Sequence, residues 1–223
     1  MHKWHVYNNF DDASKSAADF IATLIEGSLR DNGVCHVALP GGNTPAKCLA
    51  YLSNKSLHWD KVHWYLGDER CYPKGHAERN DVMLEHNLWS RISKTNIHTI
   101  FAERGAADAA ADYRKVISSI ENFDLVFLGM GEDGHTASLF PGNEALHDTR
   151  SVIPVYNAPK APAERVSLSM ETLSKAQCRL VLASGIEKSA VLAQISSGKA
   201  LPINSLGDCH WFVDAAAVSE SNL

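Results

Sequence analysis

The sequence predicts an α/β fold: a mostly parallel, twisted sheet with helices on both faces, as in Rossmann-like domains. Short runs rich in Val, Leu and Ile alternate along the chain with segments whose apolar residues recur at helical spacing. The connections between these segments are short and often contain glycine or proline. Because the chain has 223 residues and no evident interdomain linker, we expect one domain over residues 1–223.

The first half of the chain is predicted to alternate helices and strands. Residues 11–30 carry apolar side chains at helical spacing and are followed by Asp-Asn-Gly, which is typical of helix ends. Residues 40–45 form a glycine loop, with Pro45 in the first turn of the next helix. The predicted elements are a helix at 11–30, strands at 34–39 and 62–66, and helices at 46–52, 77–89 and 106–120.

The second half begins with the clearest strand, residues 125–128, whose consecutive apolar residues indicate burial on both faces of a sheet. Residues 210–213 are expected to close the sheet. Residues 156–164 are irregular and form either a plain connector or a lid near the site. The other predicted elements are strands at 152–155, 166–169 and 178–183, and a helix at 186–195.

Composition narrows the class of protein. A net charge of -5 and a pI of about 6.1 argue against nucleic acid or an anionic membrane as a partner. No stretch approaches the roughly 18 apolar residues of a membrane span, and the first ten residues lack the apolar centre of a signal peptide. The five cysteines form no Cys-x-x-Cys pair, so we expect free thiols and a cytoplasmic location.

The eleven histidines do not indicate a metal site. No pair has the His-Glu-x-x-His spacing, and no cluster of cysteine and histidine matches a zinc site. The glycine-containing segments match neither the Walker pattern nor the Gly-x-Gly-x-x-Gly fingerprint of dinucleotide sites. We therefore expect neither a metal nor a cofactor.

Residues 129–135 are the strongest candidates for catalysis. Three glycines allow a sharp turn after the buried strand, and Glu132, Asp133 and His135 are presented on that turn. Open α/β sheets bind ligands at the carboxyl ends of their strands, which is where this turn lies. His135 is a candidate general base because imidazole titrates near neutral pH; a turn-capping histidine is the alternative when the motif is taken alone.

A glycine loop between the strand at 34–39 and the next helix is a candidate phosphate site. Gly41 and Gly42 let backbone N–H groups face a ligand, and Asn43 and Thr44 add polar side chains. A tight turn that starts a helix would explain the same residues without a ligand.

Four charged residues complete the candidate site. Asp68 and Arg70 follow the strand at 62–66, where exposed salt bridges are the simpler explanation. Arg165 opens the strand at 166–169. Lys188 lies in the first turn of the helix at 186–195, where its charge opposes the helix dipole and favours an anionic partner. The same placement of polar groups after several strands favours a shared site.

The order of these segments also carries a family resemblance. The motifs are residues 40–45 (Pro-Gly-Gly-Asn-Thr-Pro), 64–70 (Trp-Tyr-Leu-Gly-Asp-Glu-Arg), 128–142 (Leu-Gly-Met-Gly-Glu-Asp-Gly-His-Thr-Ala-Ser-Leu-Phe-Pro-Gly), 165–169 (Arg-Val-Ser-Leu-Ser) and 185–188 (Gly-Ile-Glu-Lys). In this order they resemble the 6-phosphogluconolactonase family, which shares a superfamily with glucosamine-6-phosphate deaminase. The resemblance spans about residues 34–215 and implies the fold of that deaminase.

Two features resemble the lactonase branch more than the deaminase branch. Arg70 follows Asp-Glu, where deaminases tend to carry an aromatic residue, and Ser-Leu-Phe-Pro-Gly follows Gly-His-Thr-Ala. The chain departs from the family pattern at three positions: Pro40 replaces the more usual serine, Asn43 replaces serine or threonine, and Arg79 replaces the serine that usually precedes Asn80. These departures concern fine contacts with the ligand.

The resemblance implies hydrolysis of 6-phosphogluconolactone to 6-phosphogluconate in the oxidative pentose phosphate pathway. The partner is then a small phosphorylated sugar lactone. His135 is the implied base, and Asp133 orients or supports the reacting ring. Arg70 either faces the ester carbonyl, as backbone N–H groups of the glycine loops could also do, or binds the phosphate.

The implied phosphate site combines the glycine loop with two cations. Gly41, Gly42, Asn43 and Thr44 supply N–H groups and polar side chains, and residues 165 and 188 supply positive charge. The chain is expected to be a monomer or a small homo-oligomer.

Two other functions remain open from the sequence. A sugar-phosphate isomerase or deaminase would use Asp68 as a base and Asp133 with His135 for ring opening. A non-catalytic sugar-phosphate-binding module would keep the fold without the reaction, although the chain carries no basic helix-turn-helix extension and retains His135.

Overall fold

The computed structural model describes residues 2–92 and 96–221. Its described strands are β1 (Lys3–Tyr7), β2 (Cys35–Leu39), β3 (Val62–Leu66), β4 (Asp68–Arg70), β5 (Ile97–His98), β6 (Leu125–Leu128), β7 (Val152–Val155), β8 (Arg165–Leu168), β9 (Cys178–Ala183) and β10 (His210–Asp214). Its described helices are α1 (Phe10–Asn32), α2 (Asn43–Leu52), α3 (Asn80–Asn87), α4 (Ala106–Val116), α5 (Met170–Ser174) and α6 (Ser189–Ser196).

Seven strands form one sheet in the order β1-β10-β9-β6-β2-β3-β5. Every neighbouring pair in this sheet is parallel. All four residues of the central strand β6 are buried, as expected when both faces of a parallel sheet are covered. The predicted α/β class and mostly parallel sheet are therefore confirmed.

Helix α1 illustrates why the periodic segments fold as predicted. The Asn9 side chain caps its N-terminus by accepting a hydrogen bond from the Asp12 N–H, at 2.9 Å. Gly33 ends the helix with a φ of 76°, and its N–H donates to the Leu29 carbonyl at 3.0 Å. The predicted stop at Asp-Asn-Gly is confirmed, because a left-handed residue at this position favours glycine.

A second sheet corrects the prediction for residues 67–70. The sequence predicts only polar groups after the strand at 62–66, but residues 68–70 are strand β4 of a three-stranded antiparallel sheet with the order β4-β8-β7. Three consecutive charged residues show no apolar–polar alternation, so the local sequence does not reveal a strand. Only the long-range pairing with β8 defines it.

Other differences lie at the ends of elements and at the sheet edges. Strand β1 was not predicted, and it replaces β10 as the edge that closes the sheet. Its polar and partly exposed side chains, typical of an edge strand, hide the pattern. Strand β5 has only two residues and was also missed. The helices predicted at 77–89, 106–120 and 186–195 are shorter in the structure, and the last begins with a 3₁₀ turn at Ile186–Lys188.

The parallel sheet determines where functional groups can meet. Strands β3, β2, β6 and β9 are consecutive neighbours, so their carboxyl ends lie along one edge. The segments that follow them are the predicted polar and glycine-rich ones. Among the described residues, no helix is long and apolar enough to cross a membrane.

Removing the cap of α1 should lower stability. Asn9→Ala is expected to reduce the free energy of unfolding by about 1 kcal/mol, because the Asp12 N–H loses its acceptor. Urea unfolding followed by circular dichroism measures the change. Asn8→Ala is the matched control, since this neighbouring exposed asparagine does not cap the helix. Equal effects of the two substitutions would contradict the assignment of the cap.

Candidate active site

A cleft at the carboxyl edge of the main sheet collects most of the predicted residues, whereas Asp133 lines a separate cavity of about 860 Å³ that shares Phe140 with the cleft. The cleft consists of two adjoining cavities, of about 410 and 470 Å³. Both are lined by Gly42, Asn43, Arg70, His135 and Arg165. The first cavity also includes Gly41, Thr44, Asp68 and Lys188. Candidates from five separate segments of the chain therefore line one connected space.

His135 and Asp133 form a hydrogen-bonded pair in the turn after β6. The Nδ1 atom of His135 lies 2.5 Å from Oδ1 of Asp133, and the His135 N–H donates to the same oxygen at 3.2 Å. The ring packs on Phe140 at a centroid distance of 4.5 Å. Because Asp133 engages Nδ1, Nε2 is the nitrogen that remains for a water or a substrate.

The glycine at position 131 allows this pair to form. A Cβ atom at Gly131 would lie 2.1 Å from Nδ1 of His135 and 2.5 Å from Oδ1 of Asp133. The turn is closed by backbone hydrogen bonds from the Gly131 N–H to the His135 carbonyl (2.9 Å) and from the Gly134 N–H to the Gly131 carbonyl (3.0 Å). The predicted sharp glycine turn is therefore present, and its tightness holds the pair together.

The electrostatics of the pair favour a neutral imidazole. Burial lowers the pKa of His135 below its ordinary value of 6.5, and the Asp133 hydrogen bond and charge oppose this only in part. Burial raises the pKa of Asp133, but its bonds to His135 outweigh burial and the net pKa is lowered. Near neutral pH the site thus holds an unprotonated imidazole oriented by a carboxylate, which is the form a general base requires.

Asp68 lies in the wall of the cleft and is only 5% exposed. Its Oδ2 accepts a hydrogen bond from the Ser138 hydroxyl at 2.6 Å, and its Oδ1 accepts one from Nδ2 of Asn80 at 3.1 Å. Sequence reasoning gave no role to Ser138 or Asn80. Ser138 lies in the same motif as His135. Its contact with Asp68 joins residues 70 positions apart, so the sequence gives no local signal for it.

The glycine loop has the geometry of an anion site. Gly42, with a φ of 98°, is the N-cap residue of α2 and has no side chain to cap that helix. The helix begins at Asn43, earlier than the predicted 46, so Asn43 and Thr44 belong to its first turn. Their unpaired N–H groups and the positive end of the helix dipole favour a phosphate or another anion.

Arg70 and Arg165 are direct neighbours across the antiparallel strands β4 and β8. Like charges in this position repel, so the pair needs compensation. Arg165 donates to the carbonyls of residues 160, 161 and 162, at 2.9–3.2 Å, and its guanidinium lies 5.4 Å from the centre of the Phe140 ring. Burial, together with the nearby Arg70, lowers the pKa of Arg165.

Arg70 has a donor that no described residue satisfies. Its Nη1 donates to the Glu78 carbonyl at 2.6 Å, whereas its Nε is buried without a hydrogen-bond partner among the described residues. A buried N–H without an acceptor is costly, so this atom is suited to an anionic or carbonyl oxygen of a ligand.

Lys188 and Lys160 add positive charge at two sides of the cleft. Lys188 is the last residue of the 3₁₀ turn before α6, which corrects its expected position in the first turn of an α-helix. Its Nζ lies 3.9 Å from a carboxylate oxygen of Glu132.

Lys160, which sequence reasoning missed, lines both cavities from the loop at 156–164. The bonds from Arg165 to this loop explain how Lys160 is held there.

The described residues contain no group of three or more His, Cys, Asp or Glu side chains arranged to hold a metal ion. The chemistry of the cleft instead comes from one oriented imidazole, a buried carboxylate and the basic side chains of Arg70, Lys160, Arg165 and Lys188. Such a set is suited to proton transfer on an anionic substrate.

Comparison with known proteins gives the family. The model of the glucosamine-6-phosphate isomerases/6-phosphogluconolactonase family matches residues 8–211. The chain belongs to this family. A 6-phosphogluconolactonase from Neisseria meningitidis serogroup A is 32% identical over 230 residues, covering 95% of this chain and 99% of that protein.

Solved structures agree with this assignment. The crystal structure of 6-phosphogluconolactonase from Thermotoga maritima has a TM-score of 0.89 at 27% identity, covering 96% of this chain and 100% of that one. A monomeric glucosamine-6-phosphate deaminase has a TM-score of 0.85 at 17% identity, covering 98% and 99% of the two chains, which is a likeness of fold alone. The predicted resemblance to the deaminase fold is confirmed.

Asp133→Asn should lower the pKa of His135 further, because the carboxylate that opposes the effect of burial is lost. The pKa is measured by NMR titration of the His135 ring protons. Glu132→Gln is the control, since this carboxylate is largely exposed and faces Lys188. An unchanged His135 pKa in Asp133→Asn would show that the two side chains do not interact in solution.

Proposed function

We propose that the chain hydrolyses 6-phospho-D-glucono-1,5-lactone to 6-phosphogluconate, a step of the oxidative pentose phosphate pathway. The observation that carries this proposal is the His135–Asp133 pair facing a cleft that also holds an uncapped helix N-terminus and several cations. A general base and an anion site are the two things that hydrolysis of a phosphorylated ester requires. The family relatives named as 6-phosphogluconolactonases support the same reaction.

In this mechanism Nε2 of His135 takes a proton from a water as the water oxygen attacks the lactone carbonyl carbon. The carbonyl oxygen becomes negatively charged in the tetrahedral intermediate, where Arg70 Nε or a backbone N–H of a glycine loop stabilises it. The bond from the carbonyl carbon to the ring oxygen then breaks. The imidazolium returns its proton to that oxygen, which becomes a hydroxyl group, and the product is the open-chain acid.

The remaining residues hold the substrate. The phosphate binds at Gly41, Gly42, Asn43 and Thr44, with Lys188 beside them. Arg165 is assigned to this clamp as well, through the part of its guanidinium not bonded to the loop at 160–162. If Arg70 binds the phosphate instead, the glycine-loop N–H groups remain for the carbonyl. Asp68, fixed by two hydrogen bonds, supports the lactone ring.

We extend the proposal to the molecule as a whole. Residues 1–223 act as one domain, as a monomer or small homo-oligomer in the cytoplasm, with no metal, cofactor or nucleic acid. The five free cysteines support a reducing compartment. A deaminase of the same superfamily is the alternative reaction, and release of ammonia from glucosamine 6-phosphate would identify it.

His135→Ala should reduce kcat for lactone hydrolysis by about 10²- to 10⁴-fold, as expected when a general base is removed. The assay uses freshly prepared 6-phosphogluconolactone near neutral pH, with spontaneous hydrolysis subtracted. His58→Ala removes an exposed histidine that lines neither cavity of the cleft and should leave kcat unchanged. Full activity in folded His135→Ala would exclude His135 as the base.

Lys188→Ala should weaken inhibition by 6-phosphogluconate at least about tenfold, because a partly buried cation at the phosphate is lost. Competitive inhibition constants are compared with those for gluconate, which lacks the phosphate and should respond little. Lys175→Ala is the control, since that lysine forms an exposed ion pair with Glu171. An unchanged constant for 6-phosphogluconate would remove Lys188 from the clamp.

A further inference from the structure

Glu69 is a fully buried carboxylate between Asp68 and Arg70 of the candidate site. Its Oε1 accepts hydrogen bonds from the N–H groups of Arg70 (2.8 Å) and Asn80 (2.8 Å), and its Oε2 accepts one from the N–H of Asp81 (2.9 Å). Asn80 and Asp81 are the first two residues of α3, whose N-terminus has no cap from its own N-cap side chain. A carboxylate from β4 therefore caps α3.

Arg79 compensates this buried charge. It is 2% exposed, and its Nε lies 4.0 Å from Oε2 of Glu69. Its guanidinium also forms ion pairs with Asp81 (2.7 Å) and Glu103 (2.9 Å). Two further hydrogen bonds go to the carbonyls of residues 72 (3.1 Å) and 100 (3.0 Å). Arg79 thus joins β4, the start of α3 and two loops around one buried positive charge.

Asn80 transmits this arrangement to the site. Its Nδ2 donates to the backbone carbonyl of Asp68 at 2.8 Å and to Oδ1 of Asp68 at 3.1 Å. Its Oδ1 lies so close to Gly41 that a Cβ on that glycine would be 1.7 Å away. The helix terminus that Glu69 holds therefore sets the position of the Asp68 carboxylate and lies against the glycine loop.

The surroundings of Glu69 place its ionisation near neutral pH. Burial and, to a smaller extent, the nearby Asp81 raise the pKa of Glu69 to about 7, against the lowering effect of its three backbone hydrogen bonds. Arg79 faces it with positive charge, and Glu103 pairs with that arginine. Cys71 and Tyr113 are its neutral titratable neighbours. Only the ionised carboxylate accepts all three N–H groups without a proton facing a donor.

We propose that Glu69 and Arg79 are positioning residues for catalysis, which act through the N-terminus of α3 and Asn80 to hold the Asp68 carboxylate in the cleft. The inference rests on the lactonase function proposed above. Glu69 is fully buried and lines neither cavity. Arg79 reaches the wall of the second cavity, but it is 2% exposed and its donors bind protein acceptors, so it is not available to a substrate.

The first test is Glu69→Gln, assayed with 6-phosphogluconolactone alongside the wild type. The amide NH₂ of glutamine would face a backbone N–H, so one of the three bonds is lost. We expect kcat to fall about tenfold or more, while the inhibition constant for 6-phosphogluconate changes less than about threefold. A purely structural role would lower the melting temperature and leave kcat of the folded protein unchanged, and that result overturns the inference.

The pH profile supplies the second readout. In the wild type, kcat should decline as pH falls through about 7, because Glu69 takes up a proton. In Glu69→Gln the decline of kcat near pH 7 should disappear. Only the decline caused by protonation of His135, below pH 6.5, should then remain. Asn80→Ala leaves the buried charges intact but removes the two hydrogen bonds to Asp68. It should therefore lower kcat similarly and also weaken the decline near pH 7, because Glu69 then loses its connection to Asp68. Identical profiles in wild type and Glu69→Gln overturn the inference.

Arg79 variants keep the test decisive if Glu69→Gln fails to fold. Arg79→Met should lower kcat, and Arg79→Lys should restore part of the loss because it keeps a positive charge beside Glu69. Arg104→Met is the matched control, since it removes an exposed guanidinium paired with Asp112 and should leave kcat unchanged. Wild-type kcat in both Arg79 variants overturns the inference. A folded wild type without lactonase activity would instead overturn the proposed function.

Discussion

The antiparallel pairing of β4 with β8 is the constraint on which the site depends. It brings residues 68–70 against residues 165–167, although almost one hundred positions separate them along the chain. The register sets two arginines opposite each other, and Asp68 pairs with Ser167. Repulsion between facing guanidinium groups is unfavourable in an empty cleft and is relieved when an anion binds. The small second sheet thus creates a positive site within a chain of net negative charge.

The same pairing explains the number of buried polar groups near the cleft. Asp68, Glu69, Arg79 and Arg165 are all nearly inaccessible to solvent. A buried charge is tolerated only when hydrogen bonds and counter-charges replace its hydration. Each of these side chains accordingly has several partners, and those partners come from different segments. These hydrogen bonds and counter-charges offset the free-energy cost of burial. They also hold the side chains rigidly in one geometry.

Glycine plays a steric part in this packing. At Gly131 and Gly41 the neighbouring side chains occupy the space that a Cβ atom would need. The missing Cβ at Gly131 allows His135 and Asp133 to meet in one tight turn, and the missing Cβ at Gly41 allows Asn80 to lie against the glycine loop. At these two positions glycine is needed because the backbone and a side chain approach closely, rather than because the chain must be flexible.

The sequence by itself determined the α/β class, the central strands, the long first helix and most charged residues of the cleft, though not Lys160, because hydrophobic periodicity and glycine turns are local signals. It also placed His135 and Asp133 at the end of a buried strand. The tertiary structure alone decided the second sheet, edge strand β1 and the contacts of Asp68 with Asn80 and Ser138. These features are pairings between distant segments, and neither composition nor spacing encodes which partner a short polar segment will meet in space.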